Sequence, residues 1–347
     1  MSAISEFLNR SVQNGDIPSA VYQVGTSAKV IERGTFGLLG QGRAAVQEDT
    51  LYDLASVTKP IVALAAMKLL EKGEIALDDT VGMYLDEYRN TSKSEITIYQ
   101  LLTHTSKIFG IVPLYKTAHT REELLAAILN MPNREKNDVM YSSQGLIVLG
   151  CIIEKIWLQP LDVILKEQVF EPLGMGMTMF NPPERLFGNI ASTEFCPWRN
   201  RMVIGEVHDE NAVVLGGVCG HAGLFSNIAD LSKLCVAMLT GKTPSGRSFL
   251  SPSVIRLMTR NHTADLNLAR GLGWQAKDRH NSPAGDLFSD VSYGHTGFTG
   301  TSVWIDPTRD LYAVLLTNRV HPTRENEQIV TIRRKFHNLA VIRSESE

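Results

Sequence analysis

The spacing of hydrophobic positions divides the chain into strand-rich ends and a helix-rich middle. Ile4–Val12 has helical spacing, and the runs Ala20–Gly25 and Lys29–Gly34 are rich in residue types that favour strands. From Ser56 to about Leu250, most apolar positions recur at steps of three and four residues, which predicts helices. The segments concerned are Ile61–Lys72, Arg121–Asn130, Gly145–Ile156, Leu161–Phe170 and Ala229–Thr240.

The C-terminal part returns to strand-like patterns. Val291–His295, Thr301–Ile305 and Leu311–Thr317 are rich in Val, Tyr and Leu, and the polar residues 306–310 join the last two as in a hairpin. The segment Arg324–Ile342 has the spacing of a closing helix. The prediction is an α+β fold, in which one antiparallel sheet is built from both ends of the sequence and flanked by the terminal helices.

The same division predicts the domain boundaries. Residues 1–55 and 245–347 would form the sheet domain, and residues 56–244 would form an inserted, mostly helical domain. The active site is expected in the cleft between the two domains, which is a common position for a ligand site.

Composition and charge narrow the possible function classes. The 34 basic and 37 acidic side chains give a net charge of −3, and no segment is strongly basic, so no nucleic-acid partner is expected. The longest apolar run, Ile61–Leu70, is half of what a membrane span needs and contains Lys68. The N-terminal residues lack the pattern of a signal peptide, so the expected location is cytoplasmic. The four cysteines are expected to be reduced core thiols.

The segment Ser56-Val57-Thr58-Lys59-Pro60 contains the first candidate for chemistry. Proline is tolerated in the first turn of a helix but not in its interior, so Pro60 places the helix start close to Ser56. Residues three apart share a helix face, which puts the Lys59 amine beside the Ser56 hydroxyl. A neutral amine there could take the serine proton, and the helix N-terminus favours a developing oxyanion. The motif alone is equally compatible with a helix cap and a solvated lysine.

Two later segments complete a known order of motifs. Tyr141-Ser142-Ser143 precedes an apolar helix, and His295-Thr296-Gly297 lies on a predicted strand. The order S-x-x-K, then Y-x-N or S-x-N, then K-T-G is that of β-lactamases and penicillin-binding proteins. The chain therefore resembles the serine β-lactamase and penicillin-binding protein superfamily, above all its class C-like branch. That branch includes D-alanyl-D-alanine peptidases, D-aminopeptidases, muropeptide amidases and carboxylesterases. Three further segments share the resemblance: Leu101–Ser106, Glu171–Met175 and Gly271–Trp274.

The resemblance implies a role for each matching position. Ser56 would be the acylated nucleophile, Lys59 and Tyr141 would share the general-base work, and Tyr141 would protonate the leaving group. The backbone N–H groups of Ser56 and Phe298 would form the oxyanion hole. A free tyrosine has a pKa near 10, so a tyrosine base needs a neighbouring cation, for which Lys59 is the candidate. No cofactor and no metal are expected.

The expected substrate-binding residues are Ser143, His295, Thr296 and Gly297, and two of them depart from the family pattern. Ser143 stands where relatives carry Asn or Asp, and His295 replaces the lysine of K-T-G. An unperturbed histidine is mostly neutral at pH 7, so recognition of a substrate carboxylate is expected to be weaker. Both departures favour an esterase or amidase over an efficient β-lactamase.

A second glycine-rich region, residues 207–223, contains His208, Asp209 and His221. Its glycines indicate tight turns or close packing. Two interpretations stay open. The region is either a structural loop whose polar side chains satisfy its own backbone, or a rim of the cleft that touches substrate. His104, elsewhere in the chain, is interpreted as a residue that braces its loop.

The leading hypothesis is a serine hydrolase that forms an acyl-enzyme at Ser56 with an ester, amide or D-amino-acid-containing substrate. One alternative is a D-alanyl-D-alanine peptidase or a weak class C-type β-lactamase. Another, from a different class, is a catalytically idle ligand-binding protein. The joint presence of Ser56, Lys59 and Tyr141 argues against the idle protein.

Overall fold

In the computed structural model, which describes residues 2–346, strands gather near both ends of the chain and helices fill the middle. The strands are β1 Ser19–Gly25, β2 Val30–Gly37, β3 Tyr52–Asp53, β4 Met179–Phe180, β5 Phe195–Cys196, β6 Arg201–Met202, β7 Leu224–Ser226, β8 Gln275–Ala276, β9 Tyr293–Thr296, β10 Ser302–Asp306 and β11 Leu311–Leu316. The helices are α1 Ala3–Gln13, α2 Thr58–Lys72, α3 Val81–Tyr84, α4 Ile98–Leu102, α5 Arg121–Asn130, α6 Ser143–Trp157, α7 Leu161–Leu165, α8 Glu171–Leu173, α9 Glu210–Val214, α10 Ile228–Thr240, α11 Pro252–Thr259 and α12 Ile329–Glu345.

The large sheet has the strand order β2-β1-β11-β10-β9-β8, and every neighbouring pair in it is antiparallel. Val21 of β1 lies opposite Leu316 of β11, so the two ends of the chain pair at the centre of the sheet. This arrangement, together with the surrounding helices, confirms the predicted α+β fold class.

Alternating side chains of the sheet enter two different cores. In β1, Tyr22 and Val24 pack with α1 and α12, whereas Val21 joins the core that contains α2 and α10. This period of two is what a strand covered on both faces requires. In β9, which carries the third motif, Tyr293 joins the core that contains α2 and α10.

Helix α2 begins and ends as its sequence dictates. Pro60 lies in its first turn, where the missing N–H costs nothing, and Gly73 ends it with a left-handed φ of 74°. Nearly every residue in the first three turns of α2 is buried, so the helix runs through the interior behind the site.

Some predicted elements differ from the observed ones. The closing helix begins at Ile329 rather than at Arg324, because Arg324 pairs with the carboxylates of Glu194 and Glu210 instead of entering a helix. The segment predicted as the single helix Leu161–Phe170 ends its regular α-helix at Leu165 and continues as a π-helical turn. The short strand pairs β3-β7 and β7-β4 were not predicted, because two or three residues carry no periodic pattern.

All four cysteines are free thiols, as predicted, and three of them are buried. Within residues 2–346, no helix has both the length and the apolar character needed to cross a bilayer.

One buried histidine gives the fold a pH-dependent stability. His337 of α12 is fully buried, its Nδ1–H donates to the Pro283 carbonyl at 2.7 Å, and burial lowers its pKa to about 3. The unfolded chain takes up this proton near pH 6.5, so stability falls as the pH drops from 6.5 towards 3. The wild type takes up this proton when it unfolds between pH 3 and 6.5, and His337→Leu does not. We therefore expect the unfolding free energy of His337→Leu to depend less on pH in this range, by an amount that corresponds to one proton. Urea unfolding at several pH values measures it, and an unchanged pH dependence would contradict the prediction.

Candidate active site

Ser56 lies in the short 3₁₀ turn Ala55–Val57, which runs directly into α2. The preceding residue, Ala55, has a φ of 46°, a left-handed conformation that is unfavourable for any residue but glycine. The Ala55 N–H donates to Asp53 Oδ1 at 2.7 Å, which holds this conformation in place. Strain of this kind is concentrated at functional sites, and here it presents the Ser56 side chain at the start of the helix.

Lys59 lies one turn further along and is completely buried. Its Nζ donates to Ser56 Oγ at 2.9 Å and to the backbone carbonyl of His221 at 3.0 Å. The predicted contact between the serine and the lysine is therefore present in the structure. The second contact fixes the amine from the opposite side.

Tyr141 lies just before α6 and faces the same pair. Lys59 Nζ is 4.8 Å from the centre of its ring. The His104 ring lies 4.8 Å away, and His104 Nδ1 accepts a hydrogen bond from the Ser142 N–H at 3.1 Å. Burial lowers the pKa of His104 well below its usual value, so the ring is neutral. His104 thus braces the loop that carries Tyr141, as the sequence analysis expected.

The third motif brings a neutral imidazole to the site. His295 is buried on β9 and its Nδ1 lies 2.9 Å from the Thr296 carbonyl. Burial, and after it the charge of Lys59, lowers the pKa of His295 to about 3. Gly297 must be glycine, because a Cβ there would lie 2.4 Å from the Leu54 carbonyl oxygen. The third motif therefore packs closely against the segment that leads to Ser56.

The three motifs meet at a cavity of about 420 Å³. Six predicted residues line it: Ser56, Tyr141, His295, Thr296, Gly297 and Phe298. Within the described residues, the Phe298 N–H donates to no protein acceptor. Lys59 lies behind this surface, and Ser143 is buried in the first turn of α6 without lining the cavity.

The family model described as Beta-lactamase matches residues 4–335 of the sequence. The chain belongs to the Beta-lactamase family. This β-lactamase-family protein is 32% identical over 306 residues to the Escherichia coli (strain K12) protein named "Putative D-alanyl-D-alanine carboxypeptidase", across 78% of this chain and 70% of that protein. It is 29% identical over 361 residues to the N-acetylmuramyl-L-alanine amidase of Bacillus subtilis (strain 168), across 92% of this chain and 80% of that protein.

Its fold is also that of solved relatives. The structure of EstCE1, a hydrolase with promiscuous acyltransferase activity, superposes with a TM-score of 0.79 at 20% identity, covering 96% of this chain and 97% of that one. The predicted resemblance and the predicted class of enzyme, a β-lactamase-related serine hydrolase, are confirmed.

The cavity of this β-lactamase-family protein also contains a cation that the sequence analysis missed. Arg270 lines the cavity although only 8% of the residue is exposed, and its guanidinium carbon lies 6.0 Å from the centre of the Tyr141 ring. Among the described residues, the guanidinium donates to the Ala269 carbonyl at 3.3 Å, and Nε has no partner. Within residues 2–346 no carboxylate forms an ion pair with it. The cavity therefore has a cation at its wall although a neutral histidine stands in place of the third-motif lysine.

Two more arginines, also missed, hold the turn after the third motif. Arg333 of α12 donates to the carbonyls of Gly297 at 2.5 Å and Thr301 at 2.9 Å. Arg319 donates from Nε to the Phe298 carbonyl at 2.8 Å and lies 4.3 Å from the centre of the Phe298 ring. Both arginines use carbonyl acceptors, so neither contact occupies the Phe298 N–H. The sequence contains no signal for these contacts, because the two arginines lie 21 and 36 residues after the carbonyls that they hold.

His208, Asp209 and His221 do not line the cavity. His208 is buried, its Nε2 lies 2.9 Å from Glu194 Oε1, and its ring stacks on Phe298 with 5.7 Å between ring centres. Asp209 caps α9 by accepting from the Ala212 N–H. This placement favours the structural interpretation of the loop over the cleft-rim interpretation. Within the described residues, no group of three or more His, Cys, Asp or Glu side chains could hold a metal ion.

Proposed function

We propose that this protein is an esterase- or amidase-like hydrolase that forms an acyl-enzyme at Ser56. The observation that carries the proposal is the 2.9 Å hydrogen bond between the buried Lys59 amine and Ser56 Oγ, at the wall of a cavity that also contains Tyr141. A nucleophile and a base within hydrogen-bond reach are the arrangement that nucleophilic catalysis requires.

In the first half of the reaction, Ser56 Oγ attacks the substrate carbonyl carbon, and its proton passes to the Lys59–Tyr141 pair. The carbonyl oxygen becomes an oxyanion that accepts hydrogen bonds from the N–H groups of Ser56 and Phe298. The tetrahedral intermediate then expels its leaving group, which takes a proton from Tyr141. The product of this half is an ester between Ser56 Oγ and the acyl group.

In the second half, a water molecule replaces the leaving group. The Lys59–Tyr141 pair removes a proton from the water as its oxygen attacks the acyl carbon, and the proton returns to Ser56 Oγ as the acid is released. His295, Thr296 and Gly297 would orient the substrate along β9, because all three line the cavity. Ser143 does not line the cavity and would contribute to substrate binding from beneath its wall. This chemistry uses no cofactor.

We also propose that the chain is divided into a sheet domain, residues 1–55 and 245–347, and a helical domain, residues 56–244. The position of Ser56 supports this division. It lies between the end of β3 and the start of α2, and the turn at Gly297 packs against the segment just before it.

A small fluorophosphonate tests the proposal without knowledge of the substrate. The protein and its Ser56→Ala variant are incubated with the reagent, and their intact masses are recorded. One adduct on the wild type and none on the variant is the expected result. No adduct on either protein would exclude an activated serine and support the idle binding protein instead.

A comparison of kcat/KM for nitrocefin and for a short-chain ester then separates β-lactamase from esterase, and faster nitrocefin turnover would overturn the esterase proposal.

A carboxypeptidase acting on a peptide with a free C-terminal carboxylate is a second candidate, and Arg270 favours it. A buried guanidinium whose Nε has no partner and which has no carboxylate in ion-pair contact among the described residues is costly, and a substrate carboxylate in the cavity would supply that contact. Arginine suits this task because its N–H groups match the two oxygens of a carboxylate.

Arg270→Gln separates the two candidates. If a carboxylate binds there, kcat/KM for a peptide ending in D-alanyl-D-alanine should fall by about 10–100-fold, because hydrogen bonds to charged groups are worth that much. The kcat/KM for a neutral ester should change little. Equal losses on both substrates would show that Arg270 does not recognise a carboxylate.

A further inference from the structure

His221 is the residue whose backbone carbonyl holds Lys59, and both nitrogens of its ring are themselves held. Nε2 lies 2.9 Å from Asp209 Oδ1, and Nδ1 lies 3.2 Å from Cys219 Sγ. His221 and Cys219 are buried, whereas a third of the Asp209 side chain is exposed. A ring anchored at both nitrogens leaves its own peptide little freedom to turn. The carbonyl that accepts from Lys59 Nζ therefore has a fixed direction.

Asp209 in turn has a second anchor. Its Oδ1 also accepts from the Ala212 N–H at 2.9 Å, which caps α9. Burial opposes charge on both side chains of the Asp209–His221 pair. Their mutual attraction nevertheless lowers the pKa of Asp209, and Cys219 and Asp209 together raise the pKa of His221. The contact is thus an ion pair attached to a helix end, and charge-assisted hydrogen bonds of this type are stronger than neutral ones.

The same loop reaches Ser56 by a second route. The His208 N–H donates to Asp53 Oδ2 at 2.6 Å, and Asp53 Oδ1 accepts from the Ala55 N–H at 2.7 Å. Ala55 is the strained residue directly before the nucleophile. Residues 208–209 therefore connect to one side of the serine through Asp53 and to the other side through His221 and Lys59. Together with the chain itself, these hydrogen bonds surround Ser56 and Lys59.

Glycine packing keeps this loop in register with the helix that follows Tyr141. A Cβ at position 220 would lie 1.9 Å from the Leu146 carbonyl oxygen, so only glycine fits there. Leu146 is in the first turns of α6, whose N-terminus carries the loop with Tyr141. The position of His221 is thereby fixed relative to Tyr141 as well as to Lys59.

We propose that Asp209, His221 and Cys219 form a positioning cluster that keeps the Lys59 amine on Ser56 Oγ. The cluster does not touch substrate. It acts through the His221 carbonyl, and it gives the polar residues of the glycine-rich region a purpose beyond packing. This inference rests on the proposed function, because it assigns the cluster to the hydrolytic step at Ser56.

The test compares two substitutions at Asp209 by steady-state kinetics and by the rate of fluorophosphonate labelling. Asp209→Ala removes both the ion pair and the cap, and we expect kcat and the labelling rate to fall by about 10–100-fold, since misplacement of a reacting group by about 1 Å costs up to that much. KM should stay within about two-fold of the wild-type value, because the cavity lining is untouched. Asp209→Asn keeps both hydrogen bonds and should recover most of the lost rate.

Asp230→Ala is the matched control. Asp230 is a buried carboxylate at the start of α10 that accepts from the Met177 N–H at 2.7 Å, with no contact to Lys59. Its loss should lower Tm but leave kcat and the labelling rate unchanged. If Asp209→Ala behaves like this control, with lower Tm and an unchanged rate, the positioning proposal is wrong.

A milder pair of variants covers the case in which Asp209→Ala does not fold. Cys219→Ser retains a hydrogen-bonding atom next to His221, and Cys219→Ala removes it. We expect the serine variant to label faster than the alanine variant, and equal wild-type rates for both would overturn the role of Cys219. A wild type that labels at Ser56 while every variant labels equally fast refutes only the cluster. A wild type that does not label refutes the proposed function itself.

Discussion

Replacing Lys59 with methionine is expected to lower kcat/KM by about 10³-fold, within the range that a lost general base costs. The amine is the group that contacts Ser56 Oγ in the structure, at 2.9 Å. Without this amine, no base among the described residues lies within hydrogen-bond distance of the Ser56 hydroxyl, and Tyr141 loses the amine that lies 4.8 Å from the centre of its ring. Methionine fits the completely buried position because it is apolar and of similar length, so the fold should persist.

Lys68→Met is the matched control for this prediction. Lys68 belongs to the same helix, is partly buried, and donates to the Phe249 carbonyl outside the site. Initial rates with a p-nitrophenyl ester and Tm values for both variants make the comparison. The two substitutions should have similar effects on Tm, and only Lys59→Met should lose activity. Wild-type turnover by folded Lys59→Met would show that the lysine is not a base.

The residues predicted best are those whose positions depend on local geometry. Ser56 and Lys59 are one helical turn apart and Pro60 fixes where that turn begins, so the sequence could predict that their side chains lie next to each other. The antiparallel sheet was predictable for a similar reason, because its longer strands carry a period of two or a continuous apolar run.

The residues missed are those whose role depends on contacts between distant segments. Arg270 precedes a segment that matches the family, yet only the folded chain shows that its guanidinium lies at the cavity wall with an unpartnered Nε. Arg333 is more than thirty residues from Gly297 and still holds its carbonyl. No periodic pattern or short motif encodes such pairs.

The glycine-rich region shows a third situation, in which the sequence identified the residues but could not decide their role. His208 and Asp209 were visible as polar residues among glycines, and both interpretations of them were compatible with that pattern. The deciding facts are the bond from the His208 N–H to Asp53 and the ion pair between Asp209 and His221. The first contact joins residues 155 positions apart, and the second joins residues 12 positions apart.

Removing the hydroxyl group of Tyr141 is expected to produce a loss that depends on the leaving group. If Tyr141 protonates the departing atom, Tyr141→Phe should lower kcat/KM for an amide by about 10³-fold, within the range for a lost general acid. An amine cannot leave without a proton, whereas p-nitrophenolate is stable as an anion. The loss on a p-nitrophenyl ester should therefore be much smaller, about 10-fold at most.

Tyr99→Phe is the control for this variant, because it removes a tyrosine hydroxyl that lies outside the cavity and donates to the His262 carbonyl. Both variants are assayed on an amide and an ester with the same acyl group, so that only the leaving group differs. Equal losses on the two substrates would mean that Tyr141 takes the first proton from Ser56 instead of serving the leaving group. Unchanged activity on both would mean that Tyr141 has no catalytic role. Lys59 Nζ lies 4.8 Å from the centre of the Tyr141 ring, so both side chains are close enough to the reaction to transfer protons. Comparing the loss for Lys59→Met with the amide and ester losses for Tyr141→Phe then assigns each proton transfer to one side chain.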